Sequence, residues 1–168
     1  METIEYRTLD KSDWGPGPWA SEPDKRQWLD AATGYPCLIR RAPKTGALCG
    51  YVGVPESHPL FSVDYGDPRV VDILVHGGVT FADSCDDDED EGIGICHRPG
   101  SDESDVVWWL GFDCAHGGDL LPACRPHGWF VSRSPGSTYR DFEYVTHEVE
   151  RLAAQLLALA GPRQETAQ

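Results

Sequence analysis

The hydrophobic pattern is clearest near the C-terminus. Phe142, Val145, Val149, Leu152, Leu156 and Leu159 recur at three- and four-residue steps, the repeat of one helical face, and predict a helix over residues 139–160. Thr138 and Asp141 frame a capping box at its start, and Gly161-Pro162 ends it. Glu143, Glu150, Arg151 and Gln155 fall off the stripe. Residues 106–112 are apolar at consecutive positions and predict a strand buried on both faces. Residues 37–42 and 47–54 read as a hairpin around Pro43-Lys44-Thr45-Gly46. Residues 70–81 are rich in apolar and β-branched positions and read as a strand, and His76-Gly77-Gly78 inside them predicts a bulge or a place where another group approaches the backbone. Ser21-Glu22-Pro23-Asp24 reads as a helix start, with the helix running to Ala32, Trp28 and Leu29 inward, and Gly34 as its stop.

The segments between these elements are turn-rich. Residues 1–20 predict an irregular arm anchored by Trp14 and Trp19, and residues 55–68 and 117–138 read as loops. The expected fold is a single α+β domain over residues 1–168. It consists of a small, mainly antiparallel sheet, a long C-terminal helix packed on it and a short N-terminal helix. At 168 residues with 40% apolar content, the chain is long enough to bury a core.

Charge alters this picture in one place. The formal net charge is −14, and residues 83–105 contribute −9 of it. The run Asp86-Asp87-Asp88-Glu89-Asp90-Glu91 reads as a solvated acidic loop. With no basic stripe, direct nucleic-acid binding is not expected. No apolar run is long enough to span a membrane, and the N-terminus has no signal-peptide core. The expectation is therefore a cytoplasmic protein whose six cysteines stay reduced.

The candidate chemistry gathers at Asp113-Cys114-Ala115-His116-Gly117-Gly118-Asp119, where a hydrophobic strand enters a glycine turn. His116 or His76 is the candidate general base, with Asp113 or Asp119 as orienting carboxylate. The alternative is that Asp113 and Asp119 cap local backbone and Cys114 is a small core residue. Cys114 paired with a histidine is a further option, as a thiol nucleophile. Tyr51 or one of Trp108 and Trp109 could stack on a nucleobase-like ligand. A polar and aromatic pocket of Tyr51, His58, His76, Gly77, Trp109, Asp113, His116 and Asp119 is the expected ligand site. Cys114-x-His116 and Cys124-x-x-His127 are the nearest approaches to zinc spacing, and no Cys-x-x-Cys pair occurs, so no metal site and no cofactor are expected.

The chain also carries an ordered set of motifs: Cys49-Gly50-Tyr51-Val52-Gly53-Val54-Pro55, His58-Pro59-Leu60, His76-Gly77-Gly78-Val79-Thr80-Phe81, residues 108–119, and Tyr139-Arg140-Asp141 with Tyr144-Val145. Over residues 47–160 this resembles a family of small proteins of unassigned role, common in bacteriophage and prophage genomes. The resemblance implies a phage accessory protein acting inside a bacterial host, a setting in which such proteins counter host defence. Three roles follow as expectations: binding and sequestering a nucleotide-derived immune signal, hydrolysing one with His and Asp (with or without a metal), or blocking a host defence protein through an acidic, nucleic-acid-like surface. A homo-oligomer, with a symmetric ligand between two copies, is left open.

Overall fold

The computed structural model describes residues 2–86, 89–124 and 136–161. Among the described residues, six strands form one antiparallel sheet: β1 (Ile4–Tyr6), β2 (Lys25–Leu29), β3 (Pro36–Arg41), β4 (Leu48–Pro55), β5 (Phe81–Asp83) and β6 (Val107–Asp113). Their order across the sheet is β1-β2-β3-β4-β6-β5. A one-turn helix, α1 (Pro68–Val71), and the long α2 (Phe142–Ala160) complete the α+β architecture. Among the described residues, no helix is long and apolar enough to cross a membrane.

The hairpin expected around Lys44 is β3–β4, in the register Cys37↔Val52 through Arg41↔Leu48. β6 pairs with the whole length of β4, from Cys49↔Asp113 to Pro55↔Val107, and lies one strand in from the sheet edge. Side chains alternate across each strand. Leu48, Val52 and Val54 of β4 join Leu110 and Phe112 of β6 on one face, beneath Val145, Val149, Leu152 and Leu156 of α2. Cys49, Tyr51, Val107 and Trp109 take the other face. Close packing of α2 requires a glycine beneath it: a Cβ on Gly50 would overlap Val149 and Phe112. Leu159, the last residue of the predicted stripe, is 43% exposed. Asp141 caps α2, accepting from Tyr144 N at 2.9 Å, and Glu22 Oε1 accepts from Phe142 N, whereas Thr138 forms backbone bonds with Gly118 and Leu120.

Three expectations are corrected. The short N-terminal helix over residues 21–32 is not formed, and β2 occupies its centre. β2 sits between β1 and β3 and pairs with both. The Asp24 side chain accepts from Thr8 N and Leu9 N, so it ties down the N-terminal arm and caps no helix. That arm is partly regular, holding β1 and two 3-10 turns, with Trp14 and Trp19 buried. The stretch 70–81 is no bulged strand. It comprises the end of α1, a loop and the first residue of β5, because Gly77 (φ 68°) and Gly78 (φ 83°) are left-handed and break strand geometry. Part of the 117–138 loop, residues 125–135, lies outside the described residues.

The acidic segment is more than a solvated loop. Residues 89–105 run back over the sheet face opposite α2. Lys25, with no exposed surface, donates from Nζ to the carbonyls of Glu91 and Cys96, and the Gln27 side-chain amide donates to the Arg98 carbonyl and accepts from Arg98 N. Glu89 pairs with Arg40, and Glu91 with Arg98 and the Tyr6 hydroxyl. Cys85 and Cys96 are joined as a disulfide, their Cα atoms 5.0 Å apart, so the expectation of six reduced cysteines is corrected; Cys37, Cys49 and Cys114 are buried thiols.

Candidate functional site

The turn after β6, the 76–78 loop and the start of α2 meet at the end of the sheet where Cys49 pairs with Asp113. Asp119 is the hub. Its side chain is 1% exposed, and Oδ2 accepts from His76 Nε2 at 2.7 Å and from His116 N at 3.0 Å, while Oδ1 accepts from Arg140 Nε at 3.0 Å. Burial alone would raise its carboxyl, but hydrogen bonds from His76, Arg140 and His116 N outweigh that and hold it below the ordinary aspartate range.

The His76 ring is engaged on both sides. Nδ1 lies 2.9 Å from the Tyr144 hydroxyl, opposite the Asp119 contact. In the neutral ring with Nε2–H donated to Asp119, Nδ1 accepts from the Tyr144 hydroxyl. The His76 backbone N–H donates to Glu148 Oε2 at 2.8 Å, and Glu148 Oε1 takes Arg151 at 2.6 Å. Gln155 grips both the N–H and the carbonyl of Leu74. The 72–78 loop is thus fastened along one polar edge of α2. Tyr144 is pushed up, first by burial and then by Glu148, so it stays protonated.

His116 packs 5.7 Å from the His76 ring centre and rests against Gly77, where any Cβ would overlap its Nε2. That nitrogen is 3.5 Å from Asp113 Oδ1 but is buried without a hydrogen bond. Asp113 Oδ2 accepts from the Thr80 hydroxyl. Arg140 lies over the Tyr144 ring, 4.8 Å from its centroid. It is anchored to Asp119 through Nε, which leaves its two Nη groups outside that contact.

The structure therefore brings together His76, Gly77, Asp113, His116 and Asp119. It does not bring in the other expected pocket residues. Tyr51 and Trp109 are buried on the opposite face, Tyr51 edge-on to Phe81 and Trp109 edge-on to His97. His58 is buried, with Nδ1 accepting from Leu60 N and Nε2 donating to the Leu156 carbonyl, and burial lowers its pKa. It has no free nitrogen for a ligand. Cys114 is buried beside the cluster, and burial first, then Asp119, pushes its thiol far up, which does not suit a nucleophile. Among the described residues, no three His, Cys, Asp or Glu side chains gather as metal ligands; His127 lies outside those residues.

Sequence reasoning missed Arg140, Tyr144 and Glu148 as site residues. A signal existed: Tyr144, Glu148, Arg151 and Gln155 repeat at four-, three- and four-residue steps beside the apolar stripe, which is a second, polar edge of the same helix. Comparison of the chain with protein families, with curated proteins and with solved structures gives no match.

Proposed function

We propose that this cluster binds a small anionic ligand, with Arg140 Nη groups and the half-exposed His116 as the contacts. The observation that carries the reading is the posture of Arg140, fixed by Asp119 and Tyr144 yet only partly covered, with a side-chain exposure of 28%. A guanidinium held by one carboxylate still presents paired donors to a phosphate or carboxylate. The ligand class in keeping with the phage-type resemblance is a nucleotide-derived signal of the bacterial host, which the protein would sequester against host defence.

Sequestration is favoured over hydrolysis by His76, whose two ring nitrogens are both engaged by protein partners. A base must have a lone pair within reach of the proton it takes. The nucleic-acid-mimic reading draws less support, since Glu89 and Glu91 are already paired with arginines.

Calorimetry with inorganic phosphate, cyclic dinucleotides and ADP-ribose tests the proposal. We expect a phosphate-bearing ligand to bind and to be recovered intact. Arg140→Ala should weaken binding about tenfold or more, as expected for loss of a charge-assisted hydrogen bond. Flat titrations across the panel would overturn the reading, and recovery of a cleaved ligand would replace sequestration with turnover.

A further inference from the structure

The segment that covers the face opposite α2 crosses from the β5 edge of the sheet towards β2, and it is held there in two ways. Side chains of β2 and β3 grip its backbone: Lys25 takes the Glu91 and Cys96 carbonyls, Gln27 both polar backbone groups of Arg98, and Arg40 the Ile93 carbonyl. The Cys85–Cys96 disulfide is a covalent tie, made from just past the end of β5 at the border of the sheet. Both holds meet at Cys96, whose carbonyl accepts from Lys25 Nζ at 2.7 Å and whose sulfur is bonded to Cys85. On either side of it, Ile95 packs with Tyr51 and Trp109, and His97 stands edge-on to Trp109.

Cys85 and Cys96 are partly exposed residues, whereas Cys37, Cys49 and Cys114 are buried. Disulfides near the surface are the ones that exchange with outside thiols. The grip of Lys25 also carries a cost. Burial pushes its pKa down to about 8, so near neutral pH the closed segment keeps an ammonium out of water. Lifting the segment would rehydrate that charge. The closed state is thus opposed by the hydration of the lysine and favoured by the cross-link, which removes freedom from the open state.

We propose that the Cys85–Cys96 disulfide is a redox latch: oxidised, it keeps residues 92–98 on the sheet, and reduced by a dithiol, it lets them lift and uncover Tyr51 and Trp109. A thiolate of the dithiol attacks one protein sulfur, which breaks the S–S bond and forms a mixed disulfide. The second thiol of the dithiol then displaces the protein sulfur and closes a disulfide of its own. Two electrons and two protons pass to Cys85 and Cys96, and the dithiol leaves oxidised. The latch uses no residue of the Arg140 site, and either proposal can fail alone.

Hydrogen exchange of the full chain, read peptide by peptide by mass spectrometry, tests the latch with dithiothreitol as the dithiol. The reporters are the N–H groups of Ile93 and Gly94, bonded to the Asp90 carbonyl, and of Arg98, bonded to Gln27. We expect reduction to speed exchange over residues 92–98 about tenfold or more with α2 unchanged, and oxidised glutathione to restore protection. Cys85→Ser should show the fast exchange without dithiothreitol and no response to it. The proposal is overturned if reduction leaves residues 92–98 protected, or if Cys85→Ser is as slow there as the oxidised wild type. Loss of protection in α2 at the same time would make the disulfide a staple of the whole domain and overturn it too, as would protection that reoxidation does not restore.

Discussion

The two faces of the sheet are covered by different kinds of structure, and the residues beneath them differ accordingly. α2 covers one face, and its backbone groups are satisfied within the helix, so the strands below can be wholly apolar: Leu48, Val52, Leu110 and Phe112. An irregular segment covers the other face, and its carbonyls must find donors elsewhere. The sheet supplies them from Lys25 and Gln27, both with no exposed surface. A buried lysine in a strand is thus the counterpart of a covering loop that cannot satisfy its own backbone.

Truncation on the helix-covered face should have the largest effect. Leu152→Ala is expected to cost about 3 kcal/mol, the typical loss for a buried leucine, read as a lower urea midpoint with α2 still helical by circular dichroism. Lys25→Met should cost about 2 kcal/mol, because it leaves the Glu91 and Cys96 carbonyls unpaired. Limited proteolysis should then cut within residues 89–105 before the rest of the domain, an outcome the Leu152 variant should not share. A local cut that appeared equally in both variants would dissolve the contrast between the faces.

The same lysine gives the comparison a pH signature. Burial pushes Lys25 down to about 8, against an ordinary value of about 10.4. Below pH 8 the folded and unfolded chains both carry the proton, and the burial cost is felt in full. Between about 8 and about 10.4 the unfolded chain holds more protons, so wild-type stability relative to Lys25→Met should rise with pH. Paired urea titrations across that window check the sign. The smallest effect is expected at the junction of the faces. Gly77→Ala places a side chain at φ 68° and against His116, and should cost about 1 kcal/mol while displacing the His116 ring, visible as a shifted imidazole resonance.

How much the sequence disclosed follows the same division. α2 was legible from its helical period, and the β3–β4 hairpin and β6 from apolar runs bounded by turns. β2 was not, because its inward positions are Lys25 and Gln27, and a strand buried by polar partners lacks the alternation that identifies strands. The acidic run concealed the covering segment for a related reason: what holds it is mainly its backbone, which composition does not reveal.

The meeting of His76, His116 and Asp119 was legible from the glycines around them, which permit tight turns. The misplacement of Trp109 had a remedy in the sequence itself. Trp109 and Phe112 are three residues apart on one strand, so they lie on opposite faces, and the strand end that leads to His116 continues the parity of Phe112. No sequence signal marked His58 as spent, because its partners are the backbone of Leu60 and Leu156.

The sheet begins and ends with strands of three residues, β1 and β5. So short a border gives an incoming chain very little backbone to zip onto, which guards against runaway stacking of copies into fibrils. Among the described residues, a contact made at this border would draw its strength from side chains, which single substitutions can tune.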